Sequence, residues 1–149
     1  MRTLAWPKPT RWPKPKNKCR HSEYSRGALR SQCDTLCNAI VKKRDGYRCT
    51  ACGSPQAKAQ LHWAHLLSRG YGLIRHDLEN STTLCAKCHY TYTLAVDKWA
   101  LFRRGRMGDA RFDALEARAH AGGKPDYKMT LIYLQSLRAL PIENLPRPW

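Results

Sequence analysis

Apolar side chains recur at helical spacing along most of the chain, and the period breaks down in one central stretch. Over residues 25–44, Leu29, Cys33, Leu36, Cys37 and Ile40 fall on one stripe, the spacing a helix presents to a core. Arg44-Asp45-Gly46 ends that helix. Over residues 86–104 a second stripe, Cys88, Tyr92, Ala95, Trp99 and Phe102, predicts one continuous helix that "RRGRMGD" breaks. Asp109 suits the N-cap of a short helix running to about His120. "GGKP" breaks the pattern again, and Pro125 suits the first turn of a last helix that buries Tyr127, Leu131, Leu134 and Leu137. The end, "PIENLPRPW", reads as a loop or tail. Between the first two helices lies "LHWAHLLSRG" at residues 61–70, with two histidines three apart in an apolar setting.

At 149 residues the chain suits one domain with extensions and only a modest core. Charge changes the picture more. Lys and Arg number 27 against 11 Asp and Glu, a formal charge of +16. A polyanion is the expected partner, with nucleic acid first; a generally basic surface is the plainer alternative. No apolar run approaches the roughly 18 residues of a membrane span, so no membrane partner is expected. "MRTLAWPKPTRWPKP" has no signal-peptide core, and a cytoplasmic protein is expected. Its start repeats "WPKP" at Trp6–Pro9 and Trp12–Pro15. Alternating Pro and Lys favours extended polyproline II. It reads equally as a basic arm tracking DNA through Lys8, Lys14 and Lys16 or as a solubilising tail. A proline-reading partner is a third reading.

The seven cysteines of a cytosolic chain serve as metal ligands or core residues rather than disulfides. Cys33 and Cys37 lie within the first stripe and read as small core residues, although a metal shared with Cys19 or His21 is a spacing-compatible alternative. Cys49-Thr-Ala-Cys52 and Cys85-Ala-Lys-Cys88 differ. Each pair makes a knuckle offering two thiolates, and four thiolates close a tetrahedral structural zinc site. Gly53 follows the first pair, where a knuckle needs a permissive backbone. Such a zinc clamps the two ends of residues 53–84, which contain both histidines of the central stretch.

In order, the chain reads Cys49-x-x-Cys52, "LHWAHLLSR", Asn80 and "LCAKCH" at residues 84–89. Over roughly residues 44–103 this resembles the HNH endonucleases, particularly small phage-type members with paired CxxC motifs. The resemblance implies a ββα-metal fold. It implies His65 as the general base that activates water, Asn80 as the residue holding the loop and that histidine, and His89 as a ligand of a catalytic divalent metal, Mg2+ or Mn2+, with Zn2+ or Ni2+ as alternatives. Ala64 stands where the family usually has Asp or His as a second metal ligand. His62 is the candidate replacement, since residues 62 and 64 of a strand face one side about 6.6 Å apart; a packing role for His62, with help from Asp77 at the metal, is the alternative. Arg69 and Arg75 are candidate phosphate contacts, with ordinary surface charge as the alternative. His21, His76 and His120 receive no role.

The expected architecture is α+β: a ββα-metal core with a four-cysteine zinc site, flanked by an N-terminal helix and C-terminal helices. The expected organisation is a basic Pro/Lys-rich arm over residues 1–24, the nuclease domain with its preceding helix over 25–104, and a helical extension over 105–149. The expected function is metal-dependent hydrolysis of a DNA phosphodiester bond. The alternatives are a catalytically inactive zinc-stapled DNA-binding module and a structural protein of a phage replication, recombination or packaging assembly.

Overall fold

The computed structural model describes residues 24–147; the arm residues Lys8, Lys14 and Lys16, together with Cys19 and His21, lie outside them. Helix α1 spans Arg26–Arg44. Its N-cap is Ser25, whose Oγ accepts from the Ala28 amide at 3.2 Å, and its last turn carries Lys42, Lys43 and Arg44, which suit the negative end of the helix dipole. Strands β1 (Leu61–His65) and β2 (Ser81–Cys85) pair antiparallel, with His62 opposite Leu84 and His65 opposite Ser81. Helix α2 (Ala86–Leu94) leaves the end of β2 directly. Helices α3 (Val96–Met107), α4 (Asp109–His120) and α5 (Tyr127–Ala139) follow. The protein is α+β, with a two-stranded sheet and helices around it. No helix of the described residues is long and apolar enough to cross a membrane.

The continuous helix expected over residues 86–104 is divided at Ala95, which leaves helical geometry at φ −108° and ψ 83°. Packing outweighs helix continuity here. Across the bend, Trp99 and Phe102 meet Tyr92 at ring-centroid distances of 5.3 and 4.9 Å. Gly105 does not stop α3; the break falls at Gly108, whose φ of 76° lies in the left-handed region glycine favours. Gly108 therefore precedes α4, and Asp109 is the first helical residue. The cap of α5 is Asp126, accepting from the Lys128 and Met129 amides at 3.0 and 3.1 Å, rather than a turn begun by Pro125.

The α1 stripe packs against α5: Leu29, Cys33, Cys37, Ile40 and Val41 share a core with Tyr127, Leu134 and Leu137. Leu131 is only partly buried against it. Leu145, in the expected tail, is buried there too. The end of α1 is bolted to the hairpin by Arg44, which donates to the Leu78 and Ser81 carbonyls, both at 2.8 Å. Asp45 pairs with Arg44 and accepts from the Thr83 amide at 2.8 Å. A buried guanidinium is tolerated only with such full pairing.

Candidate active site and zinc knuckle

Cys49 sits on a tight turn in which the Gly53 amide donates to the Cys49 carbonyl at 2.8 Å, with Gly53 at φ 74°. Cys85 ends β2, and Cys88 lies one turn into α2, its amide donating to Cys85 Sγ at 3.4 Å. The four ligand atoms of Cys49, Cys52, Cys85 and Cys88 all lie within 4.8 Å of one another. A tetrahedral zinc with sulfurs about 2.3 Å away separates them by about 3.8 Å, and Cys52 Sγ and Cys85 Sγ are 3.8 Å apart. The donor set therefore fits a structural zinc. Burial and the neighbouring sulfurs push the Cys88 thiol up, whereas hydrogen bonds from Ser54 bring Cys52 down to about 6. Crowded thiols ionise together only around a cation.

The knuckle fixes β1 beside α2, and this brings His62 onto His89. Their Nδ1 atoms are 3.1 Å apart, with the rings edge to face. Two imidazole nitrogens on adjacent corners of one ion, each about 2.1 Å from it, stand about 3.0–3.4 Å apart. The pair could therefore hold one divalent ion. Burial, and then the charge of His62, lowers the basicity of His89, which favours the neutral, ligating form. Ala64 is 1% exposed, in an apolar cluster with Leu61, Leu84 and Cys85. Asp77 accepts from the Glu79 amide and from Arg118.

His65, at the end of β1, lines a cleft of about 420 Å³ together with Ser68, His89, Tyr92, Thr93, Val96 and Trp99. Its Nε2 lies 3.0 Å from the Arg75 carbonyl. A carbonyl only accepts, so Nε2 carries the proton and Nδ1 keeps its lone pair. Burial first, and then the charges of Arg75 and Arg69, push its pKa down to about 4, so the ring is neutral at pH 7. Trp63 packs against it, with centroids 4.2 Å apart.

Asn80 is fully buried. Its Oδ1 accepts from the Leu67 amide at 2.7 Å, and Nδ2 donates to the Leu67 and Ile74 carbonyls at 3.2 and 3.1 Å. It cross-ties the loop between the strands at both ends. Arg69 is exposed on that loop. Arg75 is turned inward, with Nε and Nη2 on the Asp34 carboxylate at 2.8 and 2.7 Å. Cys33 and Cys37 are core residues, donating weakly to the Tyr127 and His76 carbonyls.

Two residues were missed in the sequence. Asp34 also accepts from His76 Nε2, at 2.7 Å. Burial alone would raise the pKa of Asp34, but the hydrogen bonds from Arg75 and His76 hold it below the usual carboxylate range. The available signal was faint: one carboxylate beside the buried stripe of α1. His76 is 6% exposed, and nothing in its neighbours predicts that burial.

Residues 49–93 match the family model of the HNH endonucleases. The match takes in the knuckle, the hairpin and α2, with His62, His65, Asn80 and His89. No curated protein and no solved structure matches the chain significantly.

Proposed function

We propose that this chain, which carries an HNH endonuclease domain at residues 49–93, is a metal-dependent nuclease that hydrolyses a phosphodiester bond in DNA. The observation that carries the reading is the position of His65. Its ring is neutral, held through Nε2 by the Arg75 carbonyl, and it borders the same cleft as His89. A water in that cleft gives its proton to His65 Nδ1 as its oxygen attacks phosphorus. The bond from phosphorus to the leaving oxygen breaks in the same displacement, leaving by resemblance a 5′-phosphate and a 3′-hydroxyl. His89 and His62 would hold the divalent ion, which would supply stabilisation of charge on the phosphate and the leaving oxygen. Asn80 keeps the loop in register behind His65. The four cysteines would hold a structural zinc that takes no part in the chemistry. The formal charge of +16 supports DNA as the substrate, and Arg69 is exposed near the cleft for a phosphate contact.

One observation favours a second reading. Ala64 supplies no ligand and is sealed in apolar packing, so a zinc-stapled DNA-binding module without catalysis is the alternative. Purified protein incubated with supercoiled plasmid and Mg2+ or Mn2+, with and without EDTA, separates the two. EDTA-sensitive nicking that His65→Ala abolishes supports the nuclease; DNA binding without nicking under any of these metals supports the module.

A further inference from the structure

Helix α1 lies outside residues 49–93, yet it supplies a carboxylate that reaches the back of the candidate base. Asp34 takes three donors: Arg75 Nε and His76 Nε2 on Oδ1, and Arg75 Nη2 on Oδ2, all within 2.8 Å. Arg75 and His76 are consecutive, so both flanks of the peptide that joins them are anchored to one carboxylate. The oxygen of that peptide is the Arg75 carbonyl, which holds His65 Nε2 at 3.0 Å.

We propose that Asp34 is a positioning residue for His65: by gripping the side chains of Arg75 and His76 together, it fixes the direction of the peptide oxygen between them and hence which ring nitrogen His65 presents to the cleft. This rests on the reading of His65 as the base.

Two features make the tie decisive. Trp63 packs against the His65 ring and limits its tilt, but ring packing does not distinguish the two flips of an imidazole. Only a polar contact does, and the Arg75 carbonyl is that contact. The second feature is the route by which the loop is held. Asn80 ties it at Leu67 and Ile74, leaving the following peptide to be oriented by its own side chains. Arg75 Nη1 also reaches the Arg69 carbonyl at 3.3 Å, so the guanidinium is fixed on two sides. If the Arg75–His76 peptide turns, its oxygen leaves Nε2, and Nδ1 no longer faces a water in the cleft. A misplacement of about 1 Å at a reacting group costs on the order of a hundredfold in rate.

Asp34→Asn is the informative change. It keeps an acceptor for His76 and turns an amide NH2 toward Arg75 Nη2, setting donor against donor. The measurements are made on full-length protein labelled with 15N-histidine. Long-range 1H–15N spectra read the His65 tautomer, and nicking of supercoiled DNA in Mn2+ gives kcat and KM. The expected result is one tautomer, protonated at Nε2, in the parent and a mixture in Asp34→Asn. The expected kcat falls by about ten- to a hundredfold, with KM for DNA and zinc content unchanged. A single unchanged tautomer overturns the proposal, as does a raised KM with parental kcat, which would assign the pair to DNA contact. If Asp34→Asn loses its fold, Arg75→Met cuts the same tie while keeping the carbonyl and the Asp34–His76 pair, and the same expectations apply. If the parent cuts no DNA, the nuclease reading fails, and the tautomer still decides the role of Asp34.

Discussion

His62 and His89 approach with their Nδ1 atoms 3.1 Å apart, one from β1 and the other from the first turn of α2. The four-cysteine knuckle lies beside this meeting point: Cys85 ends β2, and the Cys88 amide at the start of α2 donates to its Sγ. On the proposed function, His62 is the candidate for the ligand role that Ala64 cannot fill. Two imidazoles with, among the described residues, no acidic group completing a three-ligand cluster beside them would suit Zn2+ or Ni2+ better than Mg2+.

His62→Ala is expected to raise the Mn2+ concentration for half-maximal cleavage at least tenfold while leaving the zinc content unchanged. Metal titration of nicking checks this. His62→Asp should shift preference toward Mg2+. A parental metal titration in His62→Ala would reduce His62 to a packing residue.

Cys85→Ser should remove the tightly held metal and with it the fold. Structural zinc in small domains contributes about 10 kcal/mol or more, which exceeds the net stability of most domains of this size. Metal analysis and thermal melting read both effects. Soluble, folded parent protein without zinc would remove the claim.

Asn80→Ala strands two buried backbone groups, Leu67 N–H and Leu67 C=O, and takes one of two donors from Ile74 C=O, which keeps the Asp77 amide at 3.2 Å. Unmade buried hydrogen bonds cost about 1–3 kcal/mol each, so a loss of at least about 2 kcal/mol is expected from chemical denaturation, together with reduced cleavage. A loss below about 1 kcal/mol would show that the loop is held otherwise.

Stability should fall as pH drops from about 6.5 toward 4. Burial depresses His65 to about 4 and lowers His76 as well. The unfolded chain, with ordinary histidines, then takes up protons before the folded protein does. The His65 contribution is complete above its unfolded value and amounts to about 3 kcal/mol lost by pH 4. Asp34, held low by Arg75 and His76, extends the same trend further into acid. Denaturant midpoints across this range test it, and His65→Phe should flatten the slope.

DNA binding should weaken steeply with salt, and removal of residues 1–18 should make the slope shallower by about one unit for each phosphate that the arm neutralises. Equal slopes for full-length and truncated protein would mean that Lys8, Lys14 and Lys16 do not touch DNA.

The helices and the knuckle were legible because their signals are local. A stripe such as Leu29, Cys33, Cys37 and Ile40 declares a buried helix face, and two CxxC pairs fix their own geometry. The division at Ala95 was not legible, since Tyr92, Trp99 and Phe102 fit one straight stripe equally well; only their packing across the bend selects two helices. The meeting of His62 with His89 was foreseeable in kind from the gap at Ala64. The roles of Asp34 and His76 were not. Their partners lie some forty residues away in sequence, and a single Asp on a helix carries no sign of what will pack against it.

The most direct test of the mechanism is single-turnover nicking of supercoiled DNA by His65→Ala beside the parent, at saturating Mn2+, with zinc content and DNA affinity measured on the same samples. A general-base role for His65 predicts EDTA-sensitive nicking by the parent. It predicts a fall of at least about a hundredfold in the mutant, with zinc and affinity unchanged, because a base acts in the chemical step and adds little to binding. Undiminished nicking by a folded, zinc-loaded His65→Ala protein would contradict it.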